Sequence, residues 1–367
     1  MYKILISGYY GFNNIGDESI LRTVIDNLRE KLPDVDITVL SQDPEQTAEK
    51  FGVKSVRRMS LPDIFRAVGW CDLLLSGGGS LLQDATSGRS ILYYLFILGL
   101  AQLLGRQTFI YSQGIGPIST PRNRRLTASI LRRADGIVVR DAKSRDLLLE
   151  IGVPDKLIVV TADPVIRVKK PDSALGLRIL ERENCPKQDG HLTVGWAVKA
   201  RKPNREFLQE VYKCILWLRE AYGADSVLIP FFYDEDVGVC EEIARRLEGK
   251  AGCLRQKYLS EETLSIIGCM DVLVGVRLHS LIYAAVMGVP MIGVSYDPKV
   301  DSFLASIERP THFTVENFTL EGFQSAFAET MEDREKICDT TARCLEGLVS
   351  KLDRNEEFIR MLMEQSK

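Results

Sequence analysis

DVLVGVRLHSLIYAAVMGVPMIGVSY, residues 271–296, holds the fold in miniature. DVLVGVR (271–277) is a short apolar run rich in valine. LIYAAVMGVP (281–290) reads as a helix closed by Gly288 and Pro290, and PMIGVSY (290–296) is a second apolar run. Two short apolar strands joined through a helix make the βαβ unit of a parallel sheet covered on both faces. At the centre of the stretch lies GVRLHS (275–280), where strand gives way to helix. It carries one of the three histidines in 367 residues.

The same alternation extends outward in both directions. KILIS (3–7), DITVL (36–40), SVRRM (55–59), DLLLSGG (72–78), QTFIYSQG (107–114), GIVVR (136–140) and LIVVTAD (157–163) read as strands of the first half. DESILRTVIDNLREKL (17–32) lies between the first two, and its Ile20, Leu21, Val24, Ile25 and Leu28 follow the helical period. Residues 169–190 are charged, proline-bearing and without strand pattern, and are expected to connect two domains, with room for a short helix inside. HLTVGWAV (191–198), SVLIPF (226–231) and a weaker GKAGCLRQ (249–256) resume the pattern, with helices at 204–223 and 260–270, the latter with Ser260 as its expected N-cap. The expected fold class is α/β: two Rossmann-like domains facing a cleft, one over residues 1–168 and one over 191–344.

Composition bounds the function. The chain is 26% charged with a net charge of −3, so no basic excess points to nucleic acid. Eight cysteines include no CxxC pair and no zinc spacing, which suits free thiols in a reducing cytoplasm. No metal is expected. The longest apolar run, ILYYLFILGLAQLLG (91–105), is short for a bilayer and is interrupted by Gln102, so it reads as a buried helix. The expected location is cytoplasmic. Membrane contact would be peripheral, at the inner face, through that run or the cluster Arg122–Arg125, though each reads more simply as a core helix and a solvated face.

Ligands of open α/β sheets bind beyond the carboxyl ends of the strands, so the following loops carry the candidates. SGYYGFNNIGDESI (7–20) follows the first strand. Asn14 and Gly16 place flexible backbone there, and Asp17 is either the N-cap of its helix or a carboxylate at a substrate hydroxyl. The glycines of SGGGSLLQD (76–84), Gly78 and Gly79 among them, offer amides to an anion or a sugar, or else make a tight strand-to-helix turn. Arg140 either binds an anion or pairs with Asp141 or Asp163. GWAVKARKPN leaves Lys199, Arg201 and Lys202 after a strand, for phosphate or for solvent. In GVRLHS, Arg277 and His279 share one side of an extended segment, and His279 or Ser280 opens a helix whose amides and dipole favour an anion. Arginine supplies a fork for carboxylate or phosphate, and histidine moves a proton near neutral pH. A helix-capping histidine beside a structurally paired arginine is the alternative. Tyr296, Asp297 and Lys299 follow the next strand.

GYYGFNNIGDE, SGGGSLLQD, QGIGP, the RD of VVRDAKS, ADP (162–164), GVRLHS and YDPKV occur in this order, and together they resemble the polysaccharide pyruvyl transferase family over residues 3–305. The likeness is to its CsaB-type members, which pyruvylate cell-wall polysaccharides. It implies a glycosyltransferase B-type architecture, with the C-terminal helix (345–367) crossing back to the first domain. It implies phosphoenolpyruvate as donor and no cofactor. The product would be a cyclic pyruvate ketal bridging O4 and O6 of a sugar, the acceptor N-acetylmannosamine on a lipid-diphosphate-linked disaccharide. Arg277 and His279 take the family's donor-site role. Asn14, Gly16 and Asp17 match its NxGD motif, and Lys299 a further basic position. This chain departs from many members in offering Lys199 where they carry arginine, and SIERP (306–310) replaces a glycine-containing turn.

On this reading Arg277 and Lys299 balance the donor's charge. His279 protonates C3 or steadies the leaving phosphate, and Asp17 takes the acceptor's hydroxyl proton, or the two exchange roles. A nucleotide-sugar-dependent glycosyltransferase or epimerase of the same fold is the alternative enzyme, and a non-catalytic scaffold the alternative of another class. The oligomeric state is not legible.

Overall fold

The computed structural model describes residues 1–32, 34–85, 88–185, 187, 190–199 and 205–365. It divides into two units: Met1–Arg167 with Leu348–Lys367, and Val168–Gly347.

Unit 1 runs β1 (Tyr2–Ser7), α1 (Ile15–Lys31), β2 (Val35–Ser41), α2 (Pro44–Phe51), β3 (Lys54–Arg57), α3 (Leu61–Trp70), β4 (Leu73–Ser76), β5 (Gly79–Leu82), α4 (Gly88–Leu103), β6 (Gln107–Ile115), α5 (Pro121–Leu131), β7 (Gly136–Val139), α6 (Ala142–Glu150) and β8 (Ile158–Val160). The sheet order is β3-β2-β1-β4-β6-β7-β8, with β5 beside β6, and every pair is parallel. Ile4–Ile6 and Leu73–Leu75 are fully buried, as strands covered on both faces must be. One core joins α3, α4, α5 and α6 to the sheet. Because β1 leads to β2 and β3 in one direction and β4 to β6, β7 and β8 in the other, right-handed crossovers put α1 on the opposite face.

Unit 2 runs α7 (Ser173–Arg182), β9 (Thr193–Ala197), α8 (Arg205–Tyr222), β10 (Asp225–Leu228), α9 (Tyr233–Arg246), β11 (Gly252–Cys253), α10 (Ser260–Gly268), β12 (Val272–Gly275), α11 (Leu278–Met287), β13 (Met291–Ser295), α12 (Pro298–Ser306), β14 (Phe313–Thr314), α13 (Leu320–Glu332) and α14 (Arg334–Gln365). Its parallel sheet has the order β11-β10-β9-β12-β13-β14. From Leu348 onward α14 belongs to unit 1. Arg167 donates to Glu356 Oε2 (3.1 Å) and Val349 O (2.9 Å), and Asn355 Nδ2 donates to Ser112 Oγ (2.8 Å).

The segment 169–190 carries the helix α7, which packs on α10, with Gly176 N donating to Ser265 Oγ (2.7 Å) and Ser265 Oγ donating to Asp172 O (2.6 Å). Pro186 and residues 188–189 of that segment lie outside the described residues, as do Arg201 and Lys202. Several expectations change. Leu259, not Ser260, is the N-cap of α10; Glu262 reaches back and accepts from its backbone N–H (2.7 Å). SGGGS does not turn into a helix but enters β5. The apolar run 91–105 is the core helix α4, with Ile91, Tyr94, Leu95, Leu98 and Ala101 buried. Among the described residues no helix is long and apolar enough to cross a membrane. All eight cysteines are free thiols, and burial pushes Cys71 and Cys253 up to about 12.

Candidate functional site

Each sheet reverses its strand order once, between β1 and β4 in unit 1 and between β9 and β12 in unit 2. Such switch points splay the following loops apart and leave room for a ligand. Asn14, Gly16 and Asp17 follow β1, and Gly78 and Gly79 follow β4. Lys199 follows β9, and Arg277, His279 and Ser280 follow β12. Lys299 follows β13, one strand further out.

In unit 2, Gly275 pairs in register with Ala197, so β9 and β12 end level, while β13 runs two residues past Gly293, the partner of Gly275, to Ser295. β12 ends at Gly275 and α11 begins at Leu278. The two-residue alternation that put Arg277 and His279 on one side therefore does not apply. Arg277 is the N-cap residue, and His279 and Ser280 lie in the first turn. Ser280 is fully buried, and its hydroxyl donates to Arg277 O (2.6 Å), so it closes the helix end rather than facing a ligand.

Arg277 is held by two acids from the first turn of α9. Its Nε donates to Asp236 Oδ2 (3.0 Å) and its Nη2 to Asp236 Oδ1 (2.5 Å) and Glu235 Oε2 (3.3 Å). Asp236 is fully buried and also accepts from Phe232 N (2.9 Å). Burial alone would lower the Arg277 pKa, but Asp236 outweighs it and the guanidinium stays charged. The paired-arginine alternative thus holds for this side of the fork. Sequence reading passed over Asp236 and Glu235, which belong to the acidic first turn of α9, Asp234–Asp236.

Beside Arg277 the loops build a cationic group around a phenol. Lys199 Nζ lies 3.5 Å from the ring centre of Tyr296, and Lys299 Nζ 5.4 Å from it. Burial would raise the Tyr296 hydroxyl, yet Lys299, Lys199 and Arg277 bring it below its usual value. Lys199 is lowered, first by its own burial and then by Arg277 and Lys299, against the opposing pull of Tyr296. Lys299 keeps Asp297 near its ammonium (3.5 Å). Lys199 makes no salt bridge among the described residues, so of the three cations it is the one without a carboxylate.

In unit 1 Asn14, not Asp17, caps α1: its Oδ1 accepts from Gly16 N (3.1 Å). Asp17 sits in the first turn, half-buried. A side chain at Gly79 would place its Cβ 3.0 Å from Asp17 Oδ1, and one at Gly78 2.8 Å from Ile20 Cγ2. The glycines thus let α1 lie directly on the β4–β5 backbone, and Gly79 has a left-handed φ of +91°. Tyr10, fully buried, packs its ring on Gly8 and its hydroxyl on Gly77; burial first, then the Asp17 charge, raises its pKa well above normal. Arg140 is buried and paired, with Asp141 and Asp163 each at 3.4 Å, and donates to Ser80 Oγ (2.9 Å). Its guanidinium lies over Gly114, where a Cβ would come within 2.5 Å of Nη2. Arg140 is therefore a tie between β5, β7 and the 3₁₀ turn at Pro164–Arg167, and its expected role as an anion contact gives way to those ion pairs. Among the described residues no group of three or more His, Cys, Asp or Glu is placed to hold a metal ion.

Two Rossmann-like α/β units with their candidate residues at the switch points define the glycosyltransferase B class of fold. The chain belongs to the polysaccharide pyruvyl transferase family, whose model matches residues 14–298, from the cap of α1 to the residue before Lys299. It is 20% identical over 358 residues to the amylovoran biosynthesis protein AmsJ of Erwinia amylovora, covering 81% of this chain and 84% of that protein. Solved structures share the fold. The Anabaena protein HepE in complex with UDP-glucose has a TM-score of 0.64 at 12% identity, over 100% of this chain and 99% of that one. The UDP-GlcNAc 2-epimerase of Neisseria meningitidis bound to UDP-GlcNAc has a TM-score of 0.61 at 15% identity, over 96% and 100%. At such identities the likeness concerns the fold alone.

Proposed function

We propose that this pyruvyl transferase takes phosphoenolpyruvate as its donor and forms a cyclic pyruvate ketal on a sugar. The acceptor we favour is N-acetylmannosamine of a lipid-diphosphate-linked wall precursor, bridged at O4 and O6. The observation that carries the donor is the cationic group at the β9–β12 switch point: Lys199 and Lys299 about Tyr296, beside the N-terminus of α11. A small enol bearing both a phosphate and a carboxylate suits two ammonium groups and a row of helix amides. Arg277, braced by Asp236, adds its remaining edge to that site.

The reaction removes two protons from the sugar hydroxyls and delivers one to C3 and one to the departing phosphate. Protonation of C3 turns the enol into a methyl group and leaves C2 electron-poor. One sugar hydroxyl adds to C2, the C2–O bond to phosphate breaks, and the second hydroxyl closes the ring. We assign the C3 proton, or support of the departing phosphate, to His279, and the hydroxyl proton to Asp17; the exchanged assignment is the variant to test against it. No redox step occurs and no cofactor is consumed. We place the protein in the cytoplasm, where both this donor and free thiols persist.

The experiment is incubation with phosphoenolpyruvate and a panel of amino-sugar acceptors, with products weighed for the ketal. His279→Ala is expected to lose turnover while keeping the wild-type melting temperature; turnover near wild type would remove His279 from the mechanism. The nucleotide-sugar reading draws on the UDP-linked ligands of the fold neighbours. It predicts thermal stabilisation by UDP-sugars and none by phosphoenolpyruvate, the reverse of ours.

A further inference from the structure

Unit 1 carries a surface that the transfer chemistry does not use. Between Asp84 and Asp135 the chain has seven arginines and no Asp or Glu, although its net charge is −3. This window spans α4 and α5. Exposed apolar side chains gather in the same region: of twelve large ones exposed among the described residues, seven fall between residues 59 and 126. Met59, Leu61 and Phe65 lie at and before the first turns of α3, at 70%, 56% and 49% exposure. Phe96, Leu103 and Leu104 lie on and just after α4, and Leu126 on α5.

These belong to one layer. α3, α4 and α5 cover the same face of the sheet and share its core. Arg106 Nη2 donates to Gly69 O (2.6 Å), tying the turn after α4 to the end of α3, one helical turn from Phe65. Gln102 Nε2 donates to Ile130 O (3.0 Å), setting the end of α4 against α5, where Leu126 and Arg133 are one turn either side of Ile130. Arg124 is neutralised by Glu150, and Arg132 donates to Gly152 O. Arg122, Arg125 and Arg133 are exposed and make no ion pair among the described residues.

We propose that this α3–α4–α5 face seats unit 1 on an anionic lipid bilayer. Apolar side chains beside unpaired arginines, with the opposite side of each helix in the core, are what a peripheral membrane contact requires. The leucines and phenylalanines enter the acyl boundary while the arginines meet headgroup phosphates. A second copy of the chain fits less well, since a symmetric contact would oppose arginine to arginine. The proposal stands apart from the transfer reaction and is tested without it.

The test is flotation of the full chain with phosphatidylcholine vesicles, with or without about one-third phosphatidylglycerol, at low and high salt. Binding is expected only with phosphatidylglycerol, and is expected to fall as salt rises. Arg122→Glu with Arg125→Glu should weaken it at least about tenfold, and so should Phe65→Ser with Leu103→Ser, at unchanged melting temperature. No flotation, equal flotation with neutral vesicles, or wild-type binding by both variants would overturn the proposal. So would a concentration-dependent dimer in sedimentation that Leu103→Ser abolishes, since a second copy would then cover the face.

Discussion

Arg277 and Asp236 form a two-pronged ion pair, Nε to Oδ2 at 3.0 Å and Nη2 to Oδ1 at 2.5 Å, with the carboxylate fully buried. The pair joins the loop after β12 to the first turn of α9, 41 residues apart in sequence. Removing one partner of such a pair strands a buried charge and costs about 3–5 kcal/mol. Asp236→Ala is therefore expected to lower stability in urea by about 3 kcal/mol. Arg277→Lys should recover only part of wild-type stability, because an ammonium lacks the fork. A loss within about 0.5 kcal/mol for Asp236→Ala would show that the pair does not brace the loop.

The division of labour among the cations follows. Arg277 is committed to Asp236 and Glu235, Lys299 has Asp297 nearby, and Lys199 has no carboxylate. Lys199→Met is expected to raise the KM for phosphoenolpyruvate about tenfold or more, with little change in melting temperature. Arg277→Ala should lose stability as well as donor affinity. If Lys199→Met leaves the donor KM unchanged, the contact belongs to other groups.

Sequence reading found every strand of the two sheets longer than four residues, because strands buried on both faces leave continuous apolar runs such as Leu73–Leu75. It missed β5, whose opening glycines mimic a turn, and β14, whose two residues leave no pattern. The candidate residues were legible only as strand-end positions, since a loop following a parallel strand is fixed by topology. Their partners were not. Nothing local in DED (234–236) points to Arg277, and nothing in Gly77 to Tyr10, because both contacts arise only when separate βαβ units pack side by side. Arg140 shows the converse: a strand-end arginine looks the same in sequence whether it meets a ligand or, as here, Asp163.

Tyr10 and Gly77 give a test of that packing. A Cβ on Gly77 would overlap the Tyr10 hydroxyl, while the ring carbon behind it stands at 3.2 Å. That hydroxyl is buried and has no hydrogen-bond partner among the described residues. Gly77→Ala is expected to destabilise by about 2 kcal/mol. Tyr10→Phe alone should be neutral or slightly stabilising, since it removes an unsatisfied polar group. The double variant should recover at least half of the loss, a coupling read from a double-mutant cycle in urea. Additive losses would mean that the strain at Gly77 comes from elsewhere.

Asp84 closes the turn after β5 onto α5 and carries a pH signature. Its Oδ1 accepts from Ser119 N (2.7 Å), and its Oδ2 from Thr120 N (3.0 Å) and Asn123 Nδ2 (3.0 Å). The α5 cap residue, Thr120, makes no side-chain cap bond of its own, so Asp84 serves that helix end from 35 residues away. Partial burial would raise the carboxyl, but the amides of Ser119 and Thr120 and the Asn123 side chain outweigh it and hold it at about 2, against 3.8 unperturbed. The folded chain therefore releases this proton more readily than the unfolded one. Its stabilisation is present in full above about pH 4 and is lost as pH falls from 3.8 towards about 2. The full shift corresponds to about 2.4 kcal/mol, and solvent screening reduces that to about 1 kcal/mol. Asp84→Asn, which keeps an acceptor but removes the charge, should be about 1 kcal/mol less stable than wild type at pH 7. That gap should narrow between pH 5 and pH 3 in urea titrations. A gap of the same size at pH 3 and pH 7 would mean that the charge of Asp84 contributes nothing to holding α5.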